Sequence, residues 1–422
     1  MAEAGKTFNT MTETPTPVSA WGPIHEPLFR RLWTASVVSY TGSWMQNVGA
    51  GWLMTSLTMS PLMVSLVQTA SSLPVFLVIL PAGALADMVD RRKLLIVTQS
   101  WMVAAAAALG LLTLFGMVTP WMLLGFTLLL GVGASMNDPA WQAITPEVVS
   151  QENFHAAVAL NSAGYNVARA VGPALGGIII AAANSGVVFL LNAASFLGVI
   201  VFLRRWKRRA HPASVSGNRL VPAIQIGFQY LRQTPSVQAV LMRTGLFSFA
   251  ASALLALLPV IARPFGSVAY GAMLGFFGVG ALLGAAVLPL CRTRVSINAL
   301  VGWATLVYAV AIYLFGNLRS LAVLSAVLLA AGVAWIIIVA SLNVSAQTTC
   351  PAWVRARVLS MYVLVLQGGM AMGSATWGAT AARYGIGKAM LVAALVLTAG
   401  LLAAGRFRLE TRAIEVAAVV ET

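Results

Sequence analysis

Arg169 stands about thirteen residues into a long apolar run, roughly 20 Å along a helix. A guanidinium at that depth is costly in hydrocarbon and must meet a partner, water or a ligand. Asn161, Tyr165 and Asn166 place further polar groups on or near the same helical face. Such a face can bind an anionic or polyphenolic solute or belong to a proton-linked network; it can equally be structural, with the arginine bonded to backbone carbonyls and amides near a kink. Gln46, Asn47, Gln68, Asn192, Asn343 and Gln367 also fall inside apolar runs, with Tyr40, Trp44, Tyr165, Trp335, Tyr362 and Trp377 as aromatic neighbours. A mostly apolar cavity with a few such groups suits an amphipathic solute.

Residues for covalent or metal chemistry are scarce. Of eleven acids only Asp87, Asp90 and Asp138 approach an apolar run, each at its basic end, and His25, His155 and His211 fall in tails or loops. No triad, Cys/His metal cluster or P-loop is formed, so the chain reads as a non-enzyme without cofactor or metal. Cys291 and Cys350 suggest no disulfide framework. Proton-coupled carriers commonly use an intramembrane acid or histidine, and no carboxylate is expected at mid-bilayer depth.

The elements that hold these residues are helices. Hydrophobic residues make up 59% of the chain and charged ones only 9%, against about a quarter charged in a soluble domain. Apolar runs between Pro, Gly and charged breaks predict helices over 30–57, 61–86, 94–117, 120–138, 156–182, 186–203, 236–262, 270–290, 296–316, 320–343, 358–382 and 386–405. The fold class expected is an all-α polytopic membrane protein with twelve transmembrane helices in two six-helix bundles, 28–203 and 236–405. A basic linker, 204–235, holding Arg204, Arg205, Lys207, Arg208 and Arg209 and an amphipathic piece near Ile224–Leu231, separates them. Residues 1–27 and 406–422 read as tails, the first disordered.

Twenty Lys and Arg residues fall in the tails and even-numbered loops, four on the opposite side, and Arg169 and Arg243 within helices. That bias predicts a multi-pass protein of the cell inner membrane with both termini cytoplasmic. It also accounts for the net charge of +15 without nucleic acid. Ser135-Met136-Asn137 ahead of Thr145-Pro146 is echoed by Ser341-Leu342-Asn343 ahead of Cys350-Pro351, as in a chain of two parallel repeats.

Gly83-Ala84-Leu85-Ala86-Asp87-Met88-Val89-Asp90-Arg91-Arg92-Lys93 resembles the loop 2–3 signature of the major facilitator superfamily, with Met88 in place of a basic residue and Asp90 in place of glycine. Gly172-Pro173-Ala174-Leu175-Gly176-Gly177 resembles its antiporter signature in helix 5. Asn137-Asp138-Pro139-Ala140-Trp141-Gln142, Ala168-Arg169-Ala170-Val171 and Asn192-Ala193-Ala194-Ser195-Phe196-Leu197 are similar to the enterobactin-exporter-like and macrolide-efflux-like branch. In the second half, Leu258-Pro259, Tyr270-Gly271 and Gly278 to Gly284 fit it too.

The resemblance implies an exporter of siderophores or drugs, working by alternating access with proton antiport. Lipid, an amphipathic solute and protons would be its partners, and it would act as a monomer. Gly83, Asp87, Asp90, Arg91 and Arg92 would form a cytoplasmic latch with Asp138, the natural partner for Arg91, or else a solvated loop that anchors topology. Gly172, Pro173, Gly176 and Gly177 would seal the two halves against glycines 275, 278, 280 and 284, or simply pack helices. Without a mid-depth acid, a transporter-fold sensor or assembly partner that no longer cycles is the alternative.

Overall fold

The computed structural model describes residues 21–206 and 229–404, apart from the side chains of 79–88, 143, 403 and 404. Most of the predicted N-terminal tail, the C-terminal tail and most of the linker, with most of its amphipathic piece, lie outside the described residues; the end of the N-terminal tail, expected to be disordered, instead forms a 3-10 turn over Gly22–His25 and enters α1 at Pro27. Among the described residues, twelve long helices follow one another: α1 (Pro27–Leu57), α2 (Pro61–Met88), α3 (Arg91–Leu114), α4 (Pro120–Val148), α5 (Phe154–Ala182), α6 (Ser185–Arg205), α7 (Pro235–Ala262), α8 (Gly266–Arg292), α9 (Ile297–Asn317), α10 (Leu321–Thr348), α11 (Ala352–Tyr384) and α12 (Ile386–Ala404). Among the described residues, nine stretches are long and apolar enough to cross a membrane, and one of them, Pro235–Arg292, contains both α7 and α8. α12 supplies a shorter apolar run. α1 falls below that threshold because Arg30, Arg31 and many Ser, Thr, Gln and Asn side chains dilute it.

Polar residues mark where several helices start. Asp90, Thr119, Asn184 and Ser296 each accept a hydrogen bond from the backbone three residues on, satisfying one of the orphan donors of a first turn. Gly385, at φ 88°, turns the chain between α11 and α12 in a conformation that disfavours any side chain.

α4 departs from the sequence expectation. Asp138-Pro139 reads as the end of an apolar run, yet the helix continues through Pro139 and Pro146 to Val148. A proline inside a helix removes one donor and leaves one carbonyl unbonded, which neighbouring helices and side chains can compensate. Asp138 therefore lies ten residues inside α4, roughly 15 Å from its C-terminus, and not at the helix end.

The packing repeats with an offset of six helices. α1 packs on α5 and α6, α2 on α4, and α3 on α4 and α6; α7 likewise packs on α11 and α12, α8 on α10, and α9 on α10 and α12. Among the described residues, two main seams join the halves, α5 against α8 and α2 against α11, each the counterpart of the other under the same offset, with smaller contacts such as α2 on α7. The C-terminal half has one continuous apolar core, in which Tyr308 and Trp335 contact Phe247 and each other. The N-terminal half divides its core into smaller clusters.

Ahead of α1, Glu26 ties the N-terminal segment to the loop between α4 and α5. Its carboxylate accepts hydrogen bonds from the backbone and hydroxyl of Ser150 and from the Asn153 amide. Partial burial works to raise its pKa, but the Asn153 and Ser150 hydrogen bonds outweigh it and hold the group below the usual carboxylate range. The lowered folded-state value means that this tie is fully stabilising above the unfolded pKa and is lost as pH falls through the folded one. Glu26→Gln should therefore flatten the acid limb of the thermal-unfolding profile in detergent, while an unchanged limb would refute the tie.

Candidate functional site

The halves meet along one part of their length only. At the end where α2 and α8 begin, Trp52 stacks on Tyr270 at 6.1 Å, Arg263 contacts the Met59 sulfur, and Gly177 and Gly271 face each other across α5 and α8. A Cβ at Gly177 would stand 2.5 Å from the Ser267 carbonyl oxygen, and one at Gly271 would stand 2.5 Å from that of Pro173. The seam continues to mid-helix, where Gly278 lies against the backbone of Arg169 and Ala170. On the α2–α11 side it runs from Ser65 and Gly378, through the Thr69 hydroxyl donating to the Ala371 carbonyl at 3.0 Å, to Phe76 against Gly368. Among the described residues, α4 makes no comparable contact with α7–α12, nor α10 with α1–α6. Among the described residues the cleft between the halves is thus closed at one end and has no matching contact of α4 or α10 at the other, the end that carries most of the basic residues.

Five polar or aromatic residues from three helices come together in the N-terminal half beside this cleft. Tyr40 of α1 lies edge-on to Tyr165 of α5 at 5.3 Å, and Trp44 approaches the same ring at 6.2 Å. Asp138 of α4 interacts electrostatically with both tyrosines, and Tyr165 interacts in turn with Arg169, one turn further along α5. Asp138 is surrounded by protein yet solvent-accessible, and Tyr165 is 42% exposed. Those conditions fit side chains that line a cavity. The Arg169 Nε is buried without a hydrogen-bond partner, and its guanidinium makes no hydrogen bond to any described residue. An acid, a guanidinium, a phenol between them and an indole beside them can bind and release a proton and hydrogen-bond a hydroxyl-rich aromatic solute.

The structure corrects the partner expected for Arg91. Its guanidinium bonds to Glu147, in the last turn of α4, at 3.3 Å, while Asp138 interacts with Tyr40 and Tyr165. α4 extends past both prolines, so Asp138 lies within the helix, four residues from the end of its apolar stretch Pro120–Gln142. Asp90 caps α3 through the Lys93 backbone, and Arg92 donates to the Leu203 and Arg204 carbonyls at 2.6 and 2.9 Å, closing the C-terminus of α6. These bonds all lie within the N-terminal half. Gly83 and Asp87 fall in α2, among the residues whose side chains are not described.

The helix 5 motif divides its work. Gly172 and Gly176 lie against the α1 backbone at Thr41 and Met45, and only Gly177 and the Pro173 carbonyl meet α8. On α8 itself, Gly271, Gly275 and Gly278 face α5, whereas Gly280 and Gly284 face α10 at Leu329 and Val333. The expected inter-half face is therefore partly an intra-half one.

Other candidates are occupied elsewhere. Gln46 accepts a hydrogen bond from Asn192, both fully enclosed between α1 and α6, with Ser195 donating to the same asparagine. Asn161 bonds to Thr145, Asn166 to the Ser162 carbonyl and Asn343 to Gln347. Asn47 is exposed and Gln367 half-buried. Trp335, Tyr362 and Trp377 are buried in the C-terminal half, the last two bonding to the Val339 and Phe249 carbonyls, so they pack helices and do not line a cavity. Removing one amide of the Gln46–Asn192 pair strands the other, which costs about 1–3 kcal/mol. Asn192→Ala should lower thermal stability in detergent more than the double change of Gln46 and Asn192 to leucine, and the reverse order would refute a paired role.

A family model described as transmembrane secretion effector matches residues 18–420. The chain is 24% identical over 268 residues to the staphyloferrin A transporter of Staphylococcus aureus, a match covering 61% of this chain and 66% of that one. It is 26% identical over 408 residues to the enterobactin exporter EntS of Escherichia coli, covering 90% and 94%. A solved bacterial homologue of the human lysosomal transporter Spinster, in an inward-facing and occupied conformation, superposes with a TM-score of 0.72 at 13% identity, over 92% of this chain and 98% of that one. That likeness shows the fold.

Proposed function

The chain belongs to the transmembrane secretion effector family of the major facilitator superfamily, and on that premise we propose that it exports an amphipathic, hydroxyl-rich small molecule by alternating access in exchange for protons. Both termini are cytoplasmic in this reading, so the open end of the cleft faces the cytoplasm and the structure is an inward-open state. The observation that carries it is the grouping of Asp138, Tyr165 and Arg169 in the wall of that cleft. As a carboxylate, Asp138 accepts hydrogen bonds from substrate hydroxyls. Once protonated it gives up most of that capacity, so proton and substrate exclude one another, which is what antiport requires. Arg169 supplies donors for catechol or carboxylate oxygens, and Tyr40, Trp44 and Tyr165 supply aromatic surface.

The relatives' names point to siderophores, and catecholate and carboxylate siderophores carry the hydroxyl and anionic groups this wall could hold. In the outward-open state the described arginines of the loop after α2 would exchange bonds within their half for bonds across the two halves. The alternative of a non-cycling sensor rested on a missing mid-depth acid, and in this reading Asp138 takes the proton nearer the cytoplasmic end.

Everted membrane vesicles test the proposal. Enterobactin and staphyloferrin A serve as probes, and at least one should accumulate when a proton gradient is imposed and leave when it is collapsed. No gradient-dependent accumulation of either would favour the sensor. Arg169→Ala should reduce transport of the anionic probe by roughly 10- to 100-fold, the worth of one charged hydrogen bond, and that of a cationic dye much less. Equal losses for both would assign Arg169 a structural role.

A further inference from the structure

We infer that the groove between α1 and α6 at the basic end binds one anionic phospholipid from the adjoining leaflet. A cavity of about 510 Å³ opens between the two helices, with Arg30 and Arg31 at its mouth and Thr34, Val38, Ala194 and Gly198 along its walls. Both arginines are exposed, and neither has an acidic partner among the described residues. The acid closest in sequence, Glu26, is taken up by Ser150 and Asn153.

The charge and the apolar surface are arranged along the bilayer normal. Arg30 and Arg31 stand in the first turns of α1, where a helix emerges at the headgroup level. Val38 lies seven residues beyond Arg31, roughly 10 Å deeper and so among acyl chains. The opposite wall is built from small residues, and a Cβ at Gly198 would meet nothing within 4 Å. A phosphate on the two guanidiniums with a chain laid against Val38, Ala194 and Gly198 satisfies both ends at once. A soluble anion would satisfy only the arginines.

Tyr40 follows Val38 by two residues, about 200° around the helix, so the lipid would back the same helix that carries one wall of the cleft. The inference rests on the membrane-crossing of α1 and not on substrate or proton coupling, so it can fail while the transport reading stands.

Native mass spectrometry of the purified full chain in detergent, titrated with phosphatidylglycerol or phosphatidylcholine, tests it. The wild type should retain one phosphatidylglycerol in preference to phosphatidylcholine, and millimolar inorganic phosphate should not displace it. Replacing Arg30 and Arg31 together by alanine should weaken that adduct about tenfold. Gly198→Leu, which fills the groove and leaves both charges and the topology signal in place, should remove it as well. Equal retention of the two lipids, displacement by phosphate, or an adduct unchanged in Gly198→Leu would overturn the proposal.

Discussion

Asp138→Asn abolishes proton-driven accumulation of the transported siderophore in vesicles, bringing it to background, while exchange of labelled for unlabelled substrate at equal pH persists at the weakened affinity of the protonated wild type. Asparagine keeps the shape and one acceptor oxygen of the protonated acid but cannot give up or take a proton. Binding in the wild type should weaken as pH falls, because a proton on Asp138 replaces a substrate hydroxyl as its partner. In the variant, binding should be independent of pH over the same range. The change adds no volume and removes no ion pair, since the acid faces Tyr40 and Tyr165 and Arg91 is held by Glu147. A folding defect is therefore not expected, and retained membrane insertion is the control. Accumulation at wild-type rates would remove Asp138 from the coupling mechanism.

Gly177→Val opens the seam between α5 and α8. The atoms that a side chain would meet there are backbone, the Ser267 carbonyl at 2.5 Å and the Gly271 Cα at 3.0 Å, and a helix backbone cannot swing aside as a side chain can. Overpacking of this kind costs on the order of 1–3 kcal/mol, which shifts a two-state balance between closed and open seams by roughly 5- to 150-fold. Transport should fall by roughly 5- to 150-fold, and a spectroscopic distance between labels flanking Trp52 and Tyr270 should lengthen. Gly125, where a Cβ would meet nothing within 4 Å, should tolerate the same change. Unaltered transport in Gly177→Val would show that this end need not close tightly.

Much of the architecture was legible in the sequence, because a helix that crosses hydrocarbon must be apolar for its whole length and end in basic, Gly or Pro residues. The six-plus-six organisation followed from loop charge and one long connection, and the packing of each half on itself repeats it. Arg169 was visible for the opposite reason, as a charge where charge is costly. Asp138 was misplaced because an Asp-Pro pair after an apolar run has the composition of a helix end, whereas the helix continues, packed against α2 and α3. Glu147 was missed with it, since it was taken to lie in a loop.

The amides and glycines show a different limit. Gln46 and Asn192 look like cavity residues one at a time, but each is the other's partner, a pairing that depends on how α1 and α6 rotate against each other. Gly172, Gly176 and Gly177 lie close together on one helix, yet two meet α1 and one meets α8. Helical spacing says which residues share a face, and the neighbour that fills it is decided by tertiary packing.

The most direct test of proton-coupled export through Asp138 is the proton balance of substrate binding. Enterobactin, or staphyloferrin A if that is the probe transported, is added to the purified protein in weakly buffered detergent solution and the pH is followed. The wild type should release protons in proportion to occupancy at a pH where Asp138 is partly protonated, and Asp138→Asn, which mimics the protonated acid, should bind the same probe more weakly and, at matched occupancy, release none. Equal release from both proteins, or none from the wild type at any pH, would contradict the account.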